Sequence, residues 1–242
     1  MTTLVVGASG ATGALLVEQL LNRGVKVKAI VRSIDALSAA LKNHQNLSVI
    51  EASLLEITES DLARHVKGCD SVASCLGHNM TFKGIYGQPR RLVTEATQRL
   101  CHAVRANKPE NSVRFVLMNT TGNSNRDIPE QISFAQSCVM ALIRLLLPPH
   151  VDNEWAADYL RIQISSNDKD IEWVAVRPDG LIDETAVSEY EVYASPTRSA
   201  IFDAGTISRI NVGHFMAELI TDDDIWTKWQ GQMPVIYNKA SA

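Results

Sequence analysis

Residues 4–16 have the sequence Leu-Val-Val-Gly-Ala-Ser-Gly-Ala-Thr-Gly-Ala-Leu-Leu, in which a short apolar strand leads into a glycine-rich turn. The glycines have the spacing G-x-x-G-x-x-G, and an amphipathic helix to about Arg23 follows them. Gly7 allows a sharp turn, Gly10 lets phosphates approach the backbone, and Gly13 lets the helix pack close to the strand. Because the helix start carries unpaired N–H groups and a positive dipole end, this stretch predicts a pyrophosphate site.

The next strand, predicted at 25–31, ends at Arg32 and Ser33. In a dinucleotide-binding fold, the residue at this position meets the adenosine ribose. An acidic residue there binds the 2′-hydroxyl of NAD, whereas an arginine accommodates the 2′-phosphate of NADP. Since Arg32 has no acidic neighbour before Asp35 and guanidinium geometry suits phosphate, the sequence favours NADP(H) over NAD(H).

The composition of the chain limits the classes of function. The chain has 242 residues, of which 45% are hydrophobic and 21% charged, as expected for a globular domain. The net charge of −4 gives no basic footprint for nucleic acid. Four cysteines without C-x-x-C spacing and six histidines without H-E-x-x-H predict reduced thiols and no metal site. The first strand begins by residue 3, which leaves no room for a signal peptide, so a cytoplasmic protein is expected.

Strands and helices alternate along the chain, which predicts βαβ units and a parallel sheet. Further strands are predicted at 47–51, 71–77, 114–119, 171–178 and 235–237. Helices are predicted at 34–41, from Thr58 or Ser60 to Val66, and at 89–107, 152–163 and 212–220. Short extended pieces are predicted at 189–193 and 207–211. Trp226 and Trp229 lie in a late linker and are interpreted as core or interface anchors.

Ligands of such sheets bind at the carboxyl ends of the strands, where the strand order reverses. Small or phosphate-compatible residues follow five separate predicted strands, so one rim of the sheet is expected to hold the cofactor. The predicted cofactor-binding residues are Gly7, Ser9, Gly10, Ala11, Thr12, Gly13, Arg32, Ser33, Ser53, Leu54, Cys75, Leu76, Gly77, Asn119, Pro178 and Asp179.

The segment at about 123–150 interrupts the alternation. A polar loop is followed by a very apolar helix at 131–147, which Pro148 and Pro149 end. This helix is too short to span a membrane. It forms a helix packed on the sheet, the wall of an apolar substrate pocket, or the face of a homodimer, and the sequence leaves these alternatives open. We therefore expect a single domain over 1–242, with this insertion and a small C-terminal lobe from about 180–242.

Four segments resemble one family. They are V-V-G-A-S-G-A-T-G at the start, V-R-S after the second strand, V-A-V-R-P-D-G-L, and V-G-H-F-M-A near the end. These are similar to the atypical short-chain dehydrogenase/reductases, within the NAD(P)H-binding (NmrA-like) group that includes flavin reductase. The resemblance covers most of the chain. It implies an α/β fold with a Rossmann-type doubly wound parallel sheet, a bound NADP and, often, hydride transfer. It also implies site positions after the fifth strand and after R-P, at Thr120, Thr121, Pro178 and Asp179.

The usual catalytic pair of that superfamily, Tyr-x-x-x-Lys, is absent, since its positions fall at Pro149 and Asn153. Reduction of a ketone needs a proton donor at the developing alkoxide. A flavin, a quinone or a conjugated tetrapyrrole stabilises the negative charge itself, so the protein mainly positions the two reactants. The candidate catalytic residues are therefore Thr120 and Thr121, which can hydrogen-bond the acceptor or the carboxamide, and His78 as a proton donor.

The sequence supports three functions. The first is an NADPH-dependent oxidoreductase that transfers hydride to an electron-accepting, aromatic or conjugated small molecule. The second is a non-catalytic NADP(H)-binding sensor or regulatory protein, which the missing Tyr and Lys and the apolar helix favour. The third is a nucleotide-sugar epimerase or dehydratase, which the missing pair and the short C-terminal lobe weaken.

Overall fold

The computed structural model describes residues 1–79 and 81–239, apart from the side chain of Lys83. The strands are β1 Thr2–Val6, β2 Lys26–Val31, β3 Leu47–Glu51, β4 Ser71–Ser74, β5 Val113–Met118, β6 Ile171–Pro178, β7 Gly180–Ile182, β8 Tyr190–Tyr193, β9 Thr206–Ser208 and β10 Val235–Asn238. The helices are α1 Ala11–Asn22, α2 Ala39–Lys42, α3 Glu59–Val66, α4 Phe82–Tyr86, α5 Leu92–Ala106, α6 Phe134–Leu146, α7 Pro148–Asp158, α8 Arg209–Thr221 and α9 Asp223–Trp229.

Eight strands form one sheet in the order β3-β2-β1-β4-β5-β6-β10-β8. Strands β1 to β6 pair in parallel, as does β10 with β6, and β8 closes the edge in antiparallel orientation. The order reverses between β1 and β4, as in a doubly wound dinucleotide-binding fold. The predicted fold class is confirmed. In the C-terminal third, β8 and β10 extend this main sheet, while β7 and β9 pair separately.

Helices cover both faces of the sheet, and each face has its own hydrophobic core. Helices α1, α8 and α9 pack on one face, and α3, α5 and α7 pack on the other. Gly213 allows the close contact between α8 and α1, because a Cβ on it would lie 3.0 Å from the backbone nitrogen of Leu16. Trp226 and Trp229 lie in α9 and are buried in the first of these cores. Their interpretation as core anchors is confirmed, although they lie in a helix and not in a linker.

Several predicted boundaries differ from the structure. The helix predicted at 34–41 is wrong, because Ser38 is extended and caps a separate short helix, α2, after a 3₁₀ turn at Ile34–Ala36. The extended piece predicted at 207–211 ends early, because the Ser208 hydroxyl accepts the Asn211 N–H and starts α8. Helix α5 begins only at Leu92, and α4 was not predicted.

The predicted apolar helix is α6, and most of it lies on the surface. Of its residues, Met140 is buried, whereas Phe134 is 86% exposed and Leu145 is 79% exposed. The following helix, α7, turns back onto the sheet and continues into a π-helical turn at Tyr159–Ile164. Within the described ranges, no single helix is long and apolar enough to cross a membrane. Helix α6 and the α7 segment reach that length together only across a bend of 103°.

Candidate cofactor and active site

The glycine-rich turn after β1 is tightly packed. Gly7 has a φ of +75°, and a Cβ on it would lie 2.6 Å from the carbonyl group of Cys75. A Cβ on Gly13 would lie 2.1 Å from the Gly7 oxygen, so α1 can approach the end of β1 only with glycine at that position. The Gly10 N–H donates to the Gly7 oxygen at 2.9 Å and closes the turn.

The first turn of α1 keeps its backbone donors available. Its N-cap residue, Gly10, provides no side-chain hydrogen bond, and the first turn holds no acidic residue. By contrast, hydroxyl groups cap α3, α6 and α8 at Thr58, Ser133 and Ser208. Ser9, Gly10 and Ala11 are exposed, and Thr12 is buried. Since free N–H groups at a positive helix end bind phosphate, the turn and helix fit the pyrophosphate of a dinucleotide.

The turn after β2 carries charges of both signs. Arg32 directly follows the strand and is exposed. The Ser33 hydroxyl accepts the Asp35 N–H at 3.3 Å and begins the next turn. Glu51, the last residue of the neighbouring strand β3, accepts the Ile34 N–H on its carboxylate at 3.4 Å. The acidic Glu51 therefore lies on the strand next to the one that Arg32 follows. The sequence around Arg32 does not show this proximity.

At the ends of β3 and β4, a ligand would meet mainly backbone atoms and few polar side chains. The Ser53 carbonyl accepts two N–H groups of its own turn, and the Leu54 side chain packs in the core. The Cys75 N–H donates to the last residue of β1 at 3.0 Å. Burial raises the pKa of Cys75 to about 12, so its thiol stays protonated and unreactive. Leu76 is half-buried and Gly77 is exposed.

The end of β5 is joined to α7 by two asparagines. The Asn119 amide donates to the Asn153 carbonyl at 2.9 Å, and its oxygen accepts the Thr120 N–H at 2.9 Å. The Asn123 amide donates to the Asn119 oxygen at 3.3 Å and to the same Asn153 carbonyl at 3.5 Å. We call these bonds the β5–α7 contact. Because Asn119 is buried and makes these bonds, its side chain supports this rim of the sheet.

The two candidate threonines lie in different surroundings. Thr120 is half-buried, and its hydroxyl accepts the Gly122 N–H at 3.3 Å. Thr121 is buried and donates to Asp179, which follows Pro178 at the end of β6, at 3.2 Å. Burial raises the pKa of Asp179, against hydrogen bonds from Gly205, Thr121 and Gly180 that lower it. The structure therefore brings both threonines and Asp179 to adjacent strand ends, with Thr120 the more accessible of the two hydroxyls.

His78 is held between α4 and α7. Its Nε2 lies 2.8 Å from Asp152 Oδ2, and its Nδ1 lies 3.2 Å from the Gly84 carbonyl oxygen. Asp152 is fully buried and also accepts the Val93 and Thr94 N–H groups at the start of α5. Both ring nitrogens of His78 therefore lie within hydrogen-bonding distance of acceptors in the protein. Its nitrogens are engaged within the protein, so His78 supports the loop and offers no nitrogen to a substrate.

A second histidine–carboxylate pair lies on α7, and the sequence analysis did not identify it. His150 Nε2 lies 3.3 Å from Glu154 Oε1, and the Arg144 guanidinium donates to both oxygens of Glu154 at 2.7–3.0 Å. The ring of His150 packs against Gly122, just after β5. Its position in the sequence could have revealed it. His150 comes one residue after the position of the superfamily's Tyr, and Glu154 comes one residue after the position of its Lys.

Arg177 was also missed. It is fully buried in β6 and donates to the carbonyls of Met233, Asn123 and Ala194 and to Glu130 Oε1. Its guanidinium therefore joins the loop after β5 to the C-terminal part of the chain. Within the R-P motif, which is similar to that of the family, Arg177 has a structural role. In the described residues, no three His, Cys, Asp or Glu side chains are placed to hold a metal ion.

Comparisons with known proteins show the family of the chain. The family model for NAD(P)H-binding proteins matches residues 7–223, so the chain belongs to the NAD(P)H-binding family. The resemblance to the atypical short-chain dehydrogenase/reductases is confirmed at this level, and a nicotinamide dinucleotide is the cofactor of the fold.

Individual relatives are more distant. Protein TIC 62 of the pea (Pisum sativum) chloroplast is 26% identical over 91% of this chain and 40% of its own length. A short-chain dehydrogenase/reductase of Veillonella parvula in complex with NADP has a TM-score of 0.71 at 15% identity, covering 99% of this chain and 95% of that one. A candidate NADH-flavin reductase of Streptococcus pneumoniae has a TM-score of 0.65 at 20% identity, covering 99% and 100%. The chain spans less than half the length of the curated relatives it matches.

Proposed function

We propose that the protein is an NADPH-dependent oxidoreductase that transfers hydride to an electron-accepting flavin, quinone or similar aromatic small molecule. The observation that carries this proposal is the uncapped first turn of α1 behind a glycine turn that no larger residue could form. When bound there, a reduced nicotinamide supplies the hydride. Thr120, at the end of the next strand but one, has a hydroxyl that can hydrogen-bond the acceptor or the carboxamide.

The preference for NADPH over NADH belongs to the same proposal and rests on Arg32. Its exposed guanidinium follows β2, where the ribose phosphate is expected. Glu51 on the neighbouring strand is the competing group, because a carboxylate there favours the free hydroxyl of NAD. We expect Arg32→Glu to weaken NADPH binding about 10- to 100-fold and to leave NADH binding within about threefold, since one charge-assisted phosphate contact is worth 1.5–3 kcal/mol.

Fluorescence titration of the reduced nucleotides would measure both dissociation constants. Arg23→Glu provides the control, since that arginine lies at the far end of α1 from the glycine turn. An unchanged NADPH dissociation constant in Arg32→Glu would show that Arg32 does not bind the phosphate.

The exposed face of α6 favours a second candidate, a sensor that binds NADP(H) and passes its state to another protein. A monomer rarely leaves so many large apolar side chains in water unless they meet a partner. A homodimer through α6 is the alternative that agrees with the oxidoreductase.

We also propose a cytoplasmic location, which cell fractionation would test against the chloroplast location of the plant relatives.

The experiment that separates the candidates is NADPH oxidation by the purified protein against FMN, riboflavin, quinones and a tetrapyrrole, with NADH in parallel. The oxidoreductase predicts turnover well above background with one acceptor class. Tight NADPH binding without turnover on any of them would overturn the oxidoreductase and favour the sensor.

A further inference from the structure

His150 lies at the end of β5, where a reacting group would be expected. A Cβ on Gly122 would lie 3.3 Å from His150 Cε1 and 3.6 Å from its Nδ1. Gly122 is only two residues beyond Thr120, and Met140 of α6 covers the same glycine. The β5–α7 contact holds the helix that carries His150 on this rim. One edge of the imidazole, containing Cε1 and Nδ1, therefore faces the strand end.

The other edge of the ring faces a fixed negative charge. His150 is 10% exposed, and its buried Nε2 has no hydrogen-bond partner in the described part of the chain, although Glu154 Oε1 lies 3.3 Å away. Glu154 is 6% exposed and is held by Arg144 from α6. Burial opposes ionisation of Glu154, but the neighbouring His150 and Arg144 lower its pKa to about 2. Glu154 is thus a carboxylate throughout the physiological range.

His78, the other histidine near the rim, lacks this arrangement. Both of its nitrogens lie within hydrogen-bonding distance of acceptors in the protein, at Asp152 and Gly84. His150 has one edge toward a carboxylate and one toward the strand end. In this orientation Glu154 lies beside Nε2, and Nδ1 is the ring nitrogen that can act as an acid toward a group at the strand end.

We propose that His150 is the proton donor of this site and that the acceptor is a conjugated carbonyl compound such as a quinone. The inference rests on the proposed oxidoreductase function and narrows its substrate class. The missing tyrosine of the superfamily is replaced by an imidazolium from the next position along the same segment, with Glu154 as the residue that orients it.

The step balances as follows. The C4–H bond of the dihydronicotinamide breaks, and its hydride forms a C–H bond at a conjugated carbon of the acceptor. The carbonyl π electrons move to oxygen, and that oxygen takes the proton from His150 Nδ1. NADPH is oxidised to NADP⁺, the acceptor is reduced by two electrons, and solvent reprotonates the neutral imidazole after product leaves.

The test uses the full chain with NADPH and a quinone. His150→Gln should lower kcat about 100-fold and leave the NADPH dissociation constant unchanged. Free imidazole should restore part of the activity of His150→Ala, which a purely structural role would not allow. His102→Gln is the matched control, since His102 is exposed on α5.

The outcomes are distinguishable. No wild-type turnover on any acceptor would overturn the proposed function and this inference with it. Turnover of quinones with His150→Gln within twofold of wild type would overturn the inference alone. Turnover of flavins but not quinones would do the same. A loss of NADPH affinity in His150→Gln without imidazole rescue of His150→Ala would assign His150 a structural role and overturn the proposal.

Discussion

Helices α6 and α7 follow each other directly, yet α6 exposes apolar side chains and α7 buries charged ones. Helix α6 has thirteen residues, of which only Arg144 is charged, and its apolar side chains Leu142, Leu145 and Leu146 are exposed. Helix α7 is shorter and more polar, and it buries Asp152 and Glu154. Composition alone would place α6 inside and α7 outside.

The difference arises from hydrogen-bond partners and not from hydropathy. Burying a charge is costly unless it is paired and hydrogen-bonded. Each buried carboxylate of α7 has such partners: Asp152 has His78 and two backbone N–H groups, and Glu154 has Arg144. These pairs join α7 to His78, to the start of α5 and to Arg144 of α6. The exposed leucines of α6, Leu142, Leu145 and Leu146, cannot form such pairs, and they lie on the surface.

The strongest test of this contrast is Asp152→Ala. It removes a buried carboxylate that pairs with His78 and caps the start of α5. We expect a loss of about 3–5 kcal/mol in the free energy of unfolding, because His78 and the Val93 and Thr94 N–H groups lose their buried acceptor. Urea denaturation would measure it. Asp158→Ala, on the same helix but in partly exposed ion pairs with Arg126 and Arg161, should cost less, about 1 kcal/mol. Equal losses in the two variants would contradict the special role of the buried pair.

A smaller effect is expected from acid. The pKa of Glu154 is about 2 in the folded protein, against a usual value of 4.5. Because the folded-state pKa is depressed, Glu154 contributes its stabilisation, about 3 kcal/mol, fully above pH 4.5 and loses it as pH falls toward 2. The free energies of unfolding of wild type and Glu154→Gln should therefore differ most near neutrality and converge in acid. A difference independent of pH would show that the charge of Glu154 is not what stabilises α7.

The smallest effect on stability should come from α6. Leu145→Asp places a charge on its exposed face and should change the free energy of unfolding by less than about 0.5 kcal/mol. If α6 is the homodimer face, the same change should convert a dimer to a monomer in light scattering after size-exclusion chromatography. Ile162→Asp, at another exposed apolar residue outside α6, serves as the control. A wild-type protein that is monomeric at high concentration would refute the homodimer.

The sequence predicted the elements with local signals well. Strands β3 and β6 have the predicted bounds, and the glycine turn has the predicted geometry. The prediction of a helix at 34–41 was wrong because the Ser38 hydroxyl accepts the Leu41 N–H and starts a new helix there. The roles of α7 were not predictable, since they depend on pairs far apart in the sequence, such as Asn119 with Asn153 and Val93 with Asp152. Glu51 beside the Arg32 turn escaped notice for the same reason.

The position of Arg177 has a consequence for the order in which the site is assembled during synthesis. Its guanidinium holds the loop after β5 through the Asn123 carbonyl and Glu130, and it also binds the Met233 carbonyl near the end of the chain. A growing polypeptide can form the glycine turn and the first strands early. The loop beside the reacting end acquires its last anchor only when residue 233 leaves the ribosome.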